Sequence, residues 1–505
     1  MPTAEIYNNG LAGFFDYGPI GLQFKRKIEN AWRDFFINQS WNSLIYEIAG
    51  SIVLPEEVLI ASGHVSSFSD PLVSCDKCNN EHRADQLAEA ALSTKVEGMS
   101  LQEIQDLIQE NNIKCPDCGG TLSPVEDFNL MLKTEIGPSK NSKTSYLRPE
   151  TAQSIFLDYK RVYQSMRAKL PFGIAQIGRS YRNEISPRQG LIRLRGFTQM
   201  EIEFFFDPDD PIHPDYEDYK QTKIRLITRE TQATDSPDDV TEITLEDALN
   251  KGVFHNNIQA FFVGKVFDYY QSLGIPYESL RFRHMLPEET PFYSKGNFDL
   301  EIELDIGWKE AVGVAYRTDH DLSTHAEQSG QKLEAEIQIP NKPLKKLVPH
   351  VVEPSFGVER ALYSILEHTY RAKIPKGAEK ENPSDREWDW FQLPANIAPF
   401  SAMIYPLMRK APLKEKARAL FQKLKEARFD VFYDERGGIG RRYARADEVG
   451  TPYCFTVDYD TLEDETLTIR ERDSMDQIRV PLGECESILG DLIRGKKKFL
   501  DLGVF

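Results

Sequence analysis

The sequence predicts an α+β protein, with a body built on an antiparallel sheet flanked by helices and a compact α/β domain at its C-terminus. Three observations predict it. Strand-patterned runs joined as a hairpin occupy "GIAQIGRSYRNE" and "GFTQMEIEFFF", and strand patterns resume at "LRFRHM", "FDLEIEL" and "KEAVGVAYR". After the polar linker "PKGAEKENPSDREWDW" the pattern changes to strands alternating with helices. Two stretches of different character, one rich in cysteine and one acidic, read as insertions into the body. The body then spans residues 1–390, with insertions at 72–125 and 207–280, and the tail spans 395–505.

Composition narrows the class. A chain of 505 residues with 40% hydrophobic content can build two or three domains. No apolar run reaches the roughly 18 residues that a membrane helix needs. The start, "MPTAEIYNNG", has neither the basic region nor the apolar core of a signal peptide. Net charge is −18, which argues against a general nucleic-acid coat but leaves room for local basic patches. Six cysteines, four of them in two CxxC pairs, favour metal in a reducing compartment over a disulfide scaffold. A cytoplasmic protein is the expectation.

The elements follow in chain order. "GPIGLQFKRKIENAWRDFF" reads as an amphipathic helix, with Pro19 in its first turn and Ile20, Phe24, Ile28, Trp32 and Phe35 or Phe36 on one stripe. "SLIYEIAG" reads as a strand. In the 72–125 insertion, Ser100 and Glu103 form a capping-box signature before "LQEIQDLIQE". The stretch from about 207 to 255 is rich in Pro and Asp and reads as a surface segment.

In the hairpin, strand alternation puts Ser180, Arg182 and Glu184 on one face. Gln199, Glu201 and Glu203 share one face of the partner strand. The connection between them, "ISPRQGLIRLR", is far longer than a tight turn and carries Arg188, Arg193 and Arg195, which suit phosphates. A sheet face laced with surface ion pairs would look the same in isolation. Downstream, "LVPHVVEPSFGVERALYSIL" reads as a strand ending at Glu353 and a helix opened by Gly357, with Arg360 in its first turn. A helix N-terminus favours anions. Alone, this too could be an ordinary strand-to-helix turn.

Cys75-x-x-Cys78 and Cys115-x-x-Cys118 have the spacing of a four-thiolate zinc site, and Gly119-Gly120 suits a knuckle turn. Free thiols at a vestigial site, or a disulfide formed on handling, would leave the same spacing. His64 and His82 are alternative ligands. Cys454 lies in an apolar strand and reads as core, and Cys485 carries no functional signal. In the tail, "DERGGIGRRYARADEVG" gathers Arg436, Arg441, Arg442 and Arg445 near a glycine-rich turn. That is either a solvated loop or a patch for RNA.

Taken together, an R-x-E strand end, a basic loop, a returning strand and a later G-x-x-R helix resemble motifs 2 and 3 of class II aminoacyl-tRNA synthetases. The early helix and strand resemble motif 1. The segments "EIYNNGLAGFFDYGPIG", "ASGHVSSFSDPLV", "YLRPETAQSIF", "RNEISPRQGLIRLRGFTQMEIEFF" and "VVEPSFGVER" are similar, in order, to those of homodimeric-type glycyl-tRNA synthetases. The tail resembles the anticodon-binding domain of class IIa synthetases. Two departures stand out. Members of the family usually begin with a further helical segment before "EIY", and this chain starts almost at that point. Arg195-Gly196-Phe197 stands where the family often has Arg-Glu-Phe, so no nucleotide contact is expected of Gly196.

The resemblance implies a glycine–tRNA ligase that uses ATP and Mg²⁺, with tRNA(Gly) as partner, a homodimer and no editing domain. It places ATP on Arg182, Asn183, Glu184, Ile192, Arg193, Leu194, Arg195, Phe197, Glu310, Ala311, Gly357 and Arg360. Of these, Arg182, Glu184 and Arg360 are expected to be catalytic, Phe197 to stack on adenine, and Glu310 to serve the metal or the nucleotide. It places glycine on Arg83, Glu150, Gln199, Glu201, Glu353 and Ser355, and structural Zn²⁺ on the four paired cysteines. A non-catalytic nucleic-acid-binding relative, such as the accessory subunit of mitochondrial DNA polymerase, need not keep these arginines and acids. A synthetase for serine or alanine would not need Ser355 closing the pocket.

Overall fold

Period-two alternation of apolar residues builds one dominant sheet. In the computed structural model the described residues are 1–7, 10–39, 44–93, 96, 98–187, 190–291, 293–338, 343–377, 379, 382 and 385–503. Nine strands form the sheet: β1 (Ile45–Ile48), β2 (Phe172–Tyr181), β3 (Gly196–Phe206), β4 (Lys223–Ile227), β5 (Thr241–Thr244), β6 (Leu280–His284), β7 (Asn297–Ile302), β8 (Lys309–Thr318) and β9 (His350–Gly357). Their spatial order is β1-β2-β3-β9-β8-β7-β6-β4-β5. The ladders are antiparallel except for β1 on β2 and β4 on β6. The body is therefore the expected α+β type, with a mixed sheet at both flanks.

The sheet is two-sided. One face carries helix α2 (Ala152–Ser165), whose Ile155, Phe156 and Tyr159 pack with Phe172, Ile174, Phe205 and Val351. Burying such side chains contributes roughly 1.5–3 kcal/mol each. The centre of the sheet, where β3, β9 and β8 meet, carries buried acids instead. Pairing puts Glu201 opposite Ser355, and Glu353 opposite Ala315.

Several expectations shift. β2 stops at Tyr181, so Arg182 and Glu184 lie on the loop beyond the strand and do not extend the alternation from Ser180. β9 continues past Glu353 to Gly357. Ile20 is 45% exposed, off the buried stripe of Phe24, Ile28 and Trp32. The acidic segment is no surface appendage. It supplies β4 and β5 to the main sheet, and Ile224, Leu226 and Ile227 within it are buried.

The cysteine-rich segment has its own small core. A three-stranded sheet (Ser69–Ser74, Glu81–Arg83, Glu126–Asn129) and two helices (Ala84–Leu92, Leu101–Glu110) enclose Val73, Ala84, Ala88, Ile104 and Ile108. The Ser100–Glu103 capping box forms as its sequence predicts.

Contacts divide the chain into two units, one of Met1–Asp16, Phe35–Asp268 and Glu278–Ala361, the other of Tyr17–Asp34, Tyr269–Tyr277 and Leu362–Phe505. The unit holding the tail is thus larger than residues 395–505. Within it, three parallel strands (Val431–Tyr433, Ala402–Pro406, Tyr453–Val457) continue into two antiparallel ones (Thr466–Glu471, Gln477–Pro481). Helix Ala411–Glu426 buries Leu413, Ala417, Leu420 and Leu424 at helical spacing against that sheet. Cys454 and Cys485 are buried. No helix among the described residues is long and apolar enough to cross a membrane.

Candidate active site

A cavity of about 290 Å³ opens over the centre of the main sheet. Its two ends differ in charge. One end is lined by Glu150, Gln199, Glu201, Glu353 and Ser355, the other by Arg182, Glu184, Ile192, Arg193, Leu194, Phe197, Glu310, Ala311, Gly357 and Arg360. Strand alternation explains the first set: Gln199 and Glu201 are two apart on β3, and Glu353 and Ser355 are two apart on β9.

The carboxylates at the glutamate end are buried and held. Glu201 accepts from the Thr151 N–H (2.9 Å) and hydroxyl, from Gln199 Nε2 (2.8 Å) and from Ser355 Oγ (2.6 Å). Burial, then the charge of Glu150, raises its pKa in spite of these donors. Gln199 Oε1 is buried without a hydrogen-bond partner, an acceptor facing the cavity that a cationic ligand would satisfy. Glu150 accepts from Gln153 Nε2 (2.8 Å) and lies 3.6 Å from His64 Nε2. Burial works against its ionised form, but His64 and Arg317 outweigh that and hold the carboxyl well below the usual range. Glu353 receives Arg317 Nη1 at 2.9 Å, yet burial pushes it up to about 8. Two residues along the strand from Glu201 lies Glu203, buried with both oxygens unpartnered, and burial and then Glu353 raise its pKa well above the ordinary range.

Arg317, at 1% exposure, is the hub of this end. Its fork grips Asp321 at 2.8 and 2.9 Å, and Glu150 lies 3.7 Å away. The Tyr293 ring, which also lines the cavity, stacks 3.9 Å from the guanidinium. Gln153 bridges Glu150 and Asp321, and His325 holds Gln153 Oε1 at 2.8 Å.

The arginine end is more open. Arg182 donates to the Pro149 carbonyl at 3.1 Å and lies between the rings of Phe68 (5.2 Å) and Phe197 (5.3 Å). Arg193 faces Glu184 at 3.8 Å. Arg360 pairs with Glu310 at 3.0 Å and donates to the Ile192 carbonyl at 3.2 Å. Asp299, opposite Gly313, is buried, and burial and then the charge of Glu310 raise its pKa well above the usual range. Next to Arg360, Glu359 accepts from Thr198 (2.7 and 3.1 Å) and so ties the helix Val358–Thr369 to β3.

Three expected residues are placed elsewhere. Asn183 does not line the cavity, and its backbone N–H is used by the Leu130 carbonyl. Arg195 spends its guanidinium on the carbonyls of Glu184 (2.9 Å) and Ala12 (3.3 Å), holding the loop rather than facing the cavity. Arg83 is paired with Asp70 and Asp85 and lines a neighbouring cavity of about 590 Å³ with Trp308 and Lys309. Arg188 lies outside the described residues. In the tail, Arg442 is buried and donates to the carbonyls of Pro406 and Leu407, whereas Arg436, Arg441 and Arg445 are exposed, the last paired with Asp434.

The paired cysteines converge. Cys75 and Cys118 sulfurs are 3.4 Å apart, Cys78 and Cys115 3.7 Å, and all four lie within 4.8 Å of one another. Four thiolates about 2.3 Å from a zinc ion would be separated by about 3.8 Å, so the set fits a tetrahedral ion. A Cβ on Gly120 would sit 2.8 Å from Cys75 Sγ, so only glycine leaves the cradle open. N–H groups of Cys78 and Lys77 pull the Cys75 thiol down to about 6. His82 Nε2 stands 3.6 Å from Cys115 Sγ, beside the four sulfurs, whereas His64 belongs to the glutamate end of the cavity.

Comparisons agree with this geometry. The tRNA synthetase class II core domain (G, H, P, S and T) matches residues 132–369, and the anticodon binding domain matches 401–492. A glycine–tRNA ligase of Pyrococcus furiosus is 40% identical across 97% of this chain and 96% of its own length. Those of Archaeoglobus fulgidus and Methanothrix thermoacetophila are each 38% identical, over 99% and 100% of this chain and 95% and 96% of theirs. The chain belongs to the glycine–tRNA ligase family of class II tRNA synthetases.

Proposed function

We propose that the chain joins glycine to tRNA(Gly) in two steps at this one cavity. A glycine carboxylate oxygen attacks the α-phosphorus of ATP, the bond to the β-phosphate oxygen breaks, and glycyl-adenylate and pyrophosphate form. A terminal ribose hydroxyl of tRNA then attacks the glycyl carbonyl, and AMP leaves. The observation that carries the reading is a single cavity with buried carboxylates at one end and arginines at the other. An α-amino acid brings an ammonium to the first, and a nucleotide brings phosphates to the second. No protein nucleophile is required, because orientation and charge stabilisation supply the rate.

Glu150, Glu201 and Glu353 hold the ammonium, with Gln199 Oε1 as a further acceptor. Ser355 closes the space next to the α-carbon. Arg182 steadies the charge on the α-phosphate, Phe197 stacks on adenine, and Arg193 and Arg360 take the far phosphates by exchanging Glu184 and Glu310 for them. Glu310, with Asp299 behind it, is the carboxylate that would hold a Mg²⁺, an ion that needs only one or two protein oxygens and would supply positive charge to the phosphates. The four cysteines would hold a zinc ion, which would have a structural role. The exposed Ile20 and Leu22 on the Pro19–Trp32 helix suit a homodimer contact. Six free cysteines suit a reducing, cytoplasmic setting.

The test is amino-acid-dependent ATP–pyrophosphate exchange with glycine, alanine and serine. Exchange with glycine alone is expected. Folded protein that exchanges with none of them would overturn the reading. Replacing Ser355 with Gly should admit alanine at a level about tenfold above wild type. Metal analysis should return one zinc per chain. A metal-free protein with an unchanged melting curve would sink the zinc assignment.

A further inference from the structure

An aspartate in the last turn of a helix meets the negative end of the helix dipole, so Asp447, near the C-terminus of the helix Ile439–Glu448, starts at a disadvantage. Its side chain is also fully buried, which an isolated carboxylate would resist. Cations compensate, and they come from two directions. Arg470, on the tail strand Thr466–Glu471, grips both oxygens at 2.9 and 3.1 Å. From the linker, Arg386 Nη1 lies at 3.0 Å and Trp388 Nε1 donates at 3.3 Å. The Arg386 side chain is itself fully buried and stacks on the Trp390 ring at 3.8 Å. Trp390–Phe391 in turn pairs with Tyr370–Arg371, the two residues that directly follow the helix Val358–Thr369. Close by, Arg472 donates to the carbonyls of Leu393 (2.8 Å) and Gly450 (2.7 Å), and a Cβ on Gly450 would sit 2.6 Å from the Leu393 side chain. The linker is thus built into the tail. On the opposite face of the helix Ile439–Glu448, Arg441 and Arg445, four residues apart, are exposed.

We propose that Asp447, Arg386 and Trp388 form a latch that fixes this helix to the end of the helix Val358–Thr369, and that they are positioning residues for glycyl transfer to tRNA. The proposal rests on the reading of the chain as a tRNA ligase, with Arg441 and Arg445 facing the RNA. An apolar contact would join linker and tail without desolvating any charge, and buried ion pairs replaced by apolar groups often leave a fold as stable as before. A carboxylate shared between Arg470 and Arg386 does something an apolar contact does not, because it accepts one arrangement and resists sliding. Transfer needs that, since a small rotation of the RNA-facing helix is magnified along the tRNA and displaces the reacting hydroxyl.

The experiment uses the full chain and the variants Arg386→Met, Arg386→Lys and Trp388→Phe. It reads glycine-dependent pyrophosphate exchange, the Kd for tRNA(Gly), and the single-turnover rate of glycyl transfer from preformed glycyl-adenylate. Arg386→Met should slow transfer about 100-fold, with exchange within about twofold and the Kd within about threefold of wild type. Arg386→Lys, which keeps the charge and loses the planar stack, should slow transfer about tenfold. Trp388→Phe, which loses only the N–H, should slow it about threefold. Unchanged transfer in Arg386→Met would overturn the proposal. So would a Kd that weakens as much as transfer slows, the mark of a tail that has merely lost its fold, or exchange that falls in step with transfer. If Arg386→Met does not fold, unchanged transfer in the other two variants overturns it. Wild-type protein that forms no glycyl-tRNA sinks the ligase reading itself, whereas wild-type transfer in the variants sinks only the latch.

Discussion

At the glutamate end of the cavity each ligand carboxylate is held by buried donors, with Glu150, Glu201 and Glu353 at 6%, 1% and 5% exposure. At the arginine end the side chains of Arg193 and Arg360 are 31% and 30% exposed, and the carboxylates they face lie at 3.8 and 3.0 Å. The first end is assembled before any ligand arrives. The second holds ion pairs that phosphates can displace, since a partly solvated pair contributes only about 0–1 kcal/mol. On the assignment proposed above, the small substrate meets a rigid site, and the large, highly charged one meets an adjustable site. That division suits the chemistry. Rejecting a single methyl needs fixed walls, whereas a triphosphate brings enough charge to reorganise arginines.

The largest expected effect breaks one end and leaves the other. Arg182→Ala should lower glycine-dependent exchange by about 10³-fold, the scale of losing a transition-state donor, with the melting curve unchanged. Exchange within tenfold of wild type would remove Arg182 from the reaction. Glu201→Gln, at the opposite end, should raise the glycine KM by about 100-fold with a small change for ATP. Parallel loss of both substrates in that variant would erase the distinction between the ends.

A second effect uses pH. Glu353 is pushed up to about 8 by burial, against an ordinary 4.5. Between those values the folded chain carries a proton that the unfolded chain lacks. The group's contribution to stability is therefore full at low pH and is lost as pH rises toward 8. An ammonium ligand needs the ionised form, so binding expels that proton. The glycine KM should fall as pH rises from 6.5 to 8, by at most about tenfold per unit, while the ATP KM stays level over the same window. Glu353→Gln should flatten the glycine profile. A glycine KM independent of pH in the wild type would show that Glu353 is already ionised.

How much of this was legible in the sequence depends on how each group reaches its place. The cysteine cluster was legible because two short knuckles carry their own geometry. The strands were legible from alternation, and Gln199 with Glu201 followed from a spacing of two. Glu150, Glu201 and Glu353 come from three distant segments, and only the family resemblance joined them. Arg317 was hidden, because it ends an apolar run in "KEAVGVAYR" and looks like an ordinary strand terminus, although alternation puts it on the face of Gly313 and Ala315, which line the cavity. Arg195 misled for the reverse reason. Its type suits phosphates, but a loop this long needs its own scaffold, and Arg195 supplies it through the carbonyls of Glu184 and Ala12. The acidic segment misled through composition, since its Asp-rich turns conceal Ile224, Leu226 and Ile227 at the sheet.

The smallest expected effect separates the ends most cleanly, because it changes no residue. Salt screens charges in proportion to their access to water, with a Debye length of about 10 Å at 0.1 M and about 3 Å at 1 M. Arg193 and Arg360 are partly open, and the phosphates they meet arrive from solvent. Raising potassium chloride from 0.05 to 0.5 M should therefore raise the ATP KM by about threefold. The ammonium of glycine is enclosed by carboxylates that water does not reach, so the glycine KM should move by less than about 1.5-fold. The Arg317 network predicts the same insensitivity, since its pairs with Asp321 and Glu353 lie at 1%, 2% and 6% side-chain exposure. A glycine KM that rises in step with that of ATP would mean that the glutamate end opens to solvent during turnover. The rigid end would then be the mobile one, and the contrast between the two would have to be redrawn around the motion of the strands β8 and β9.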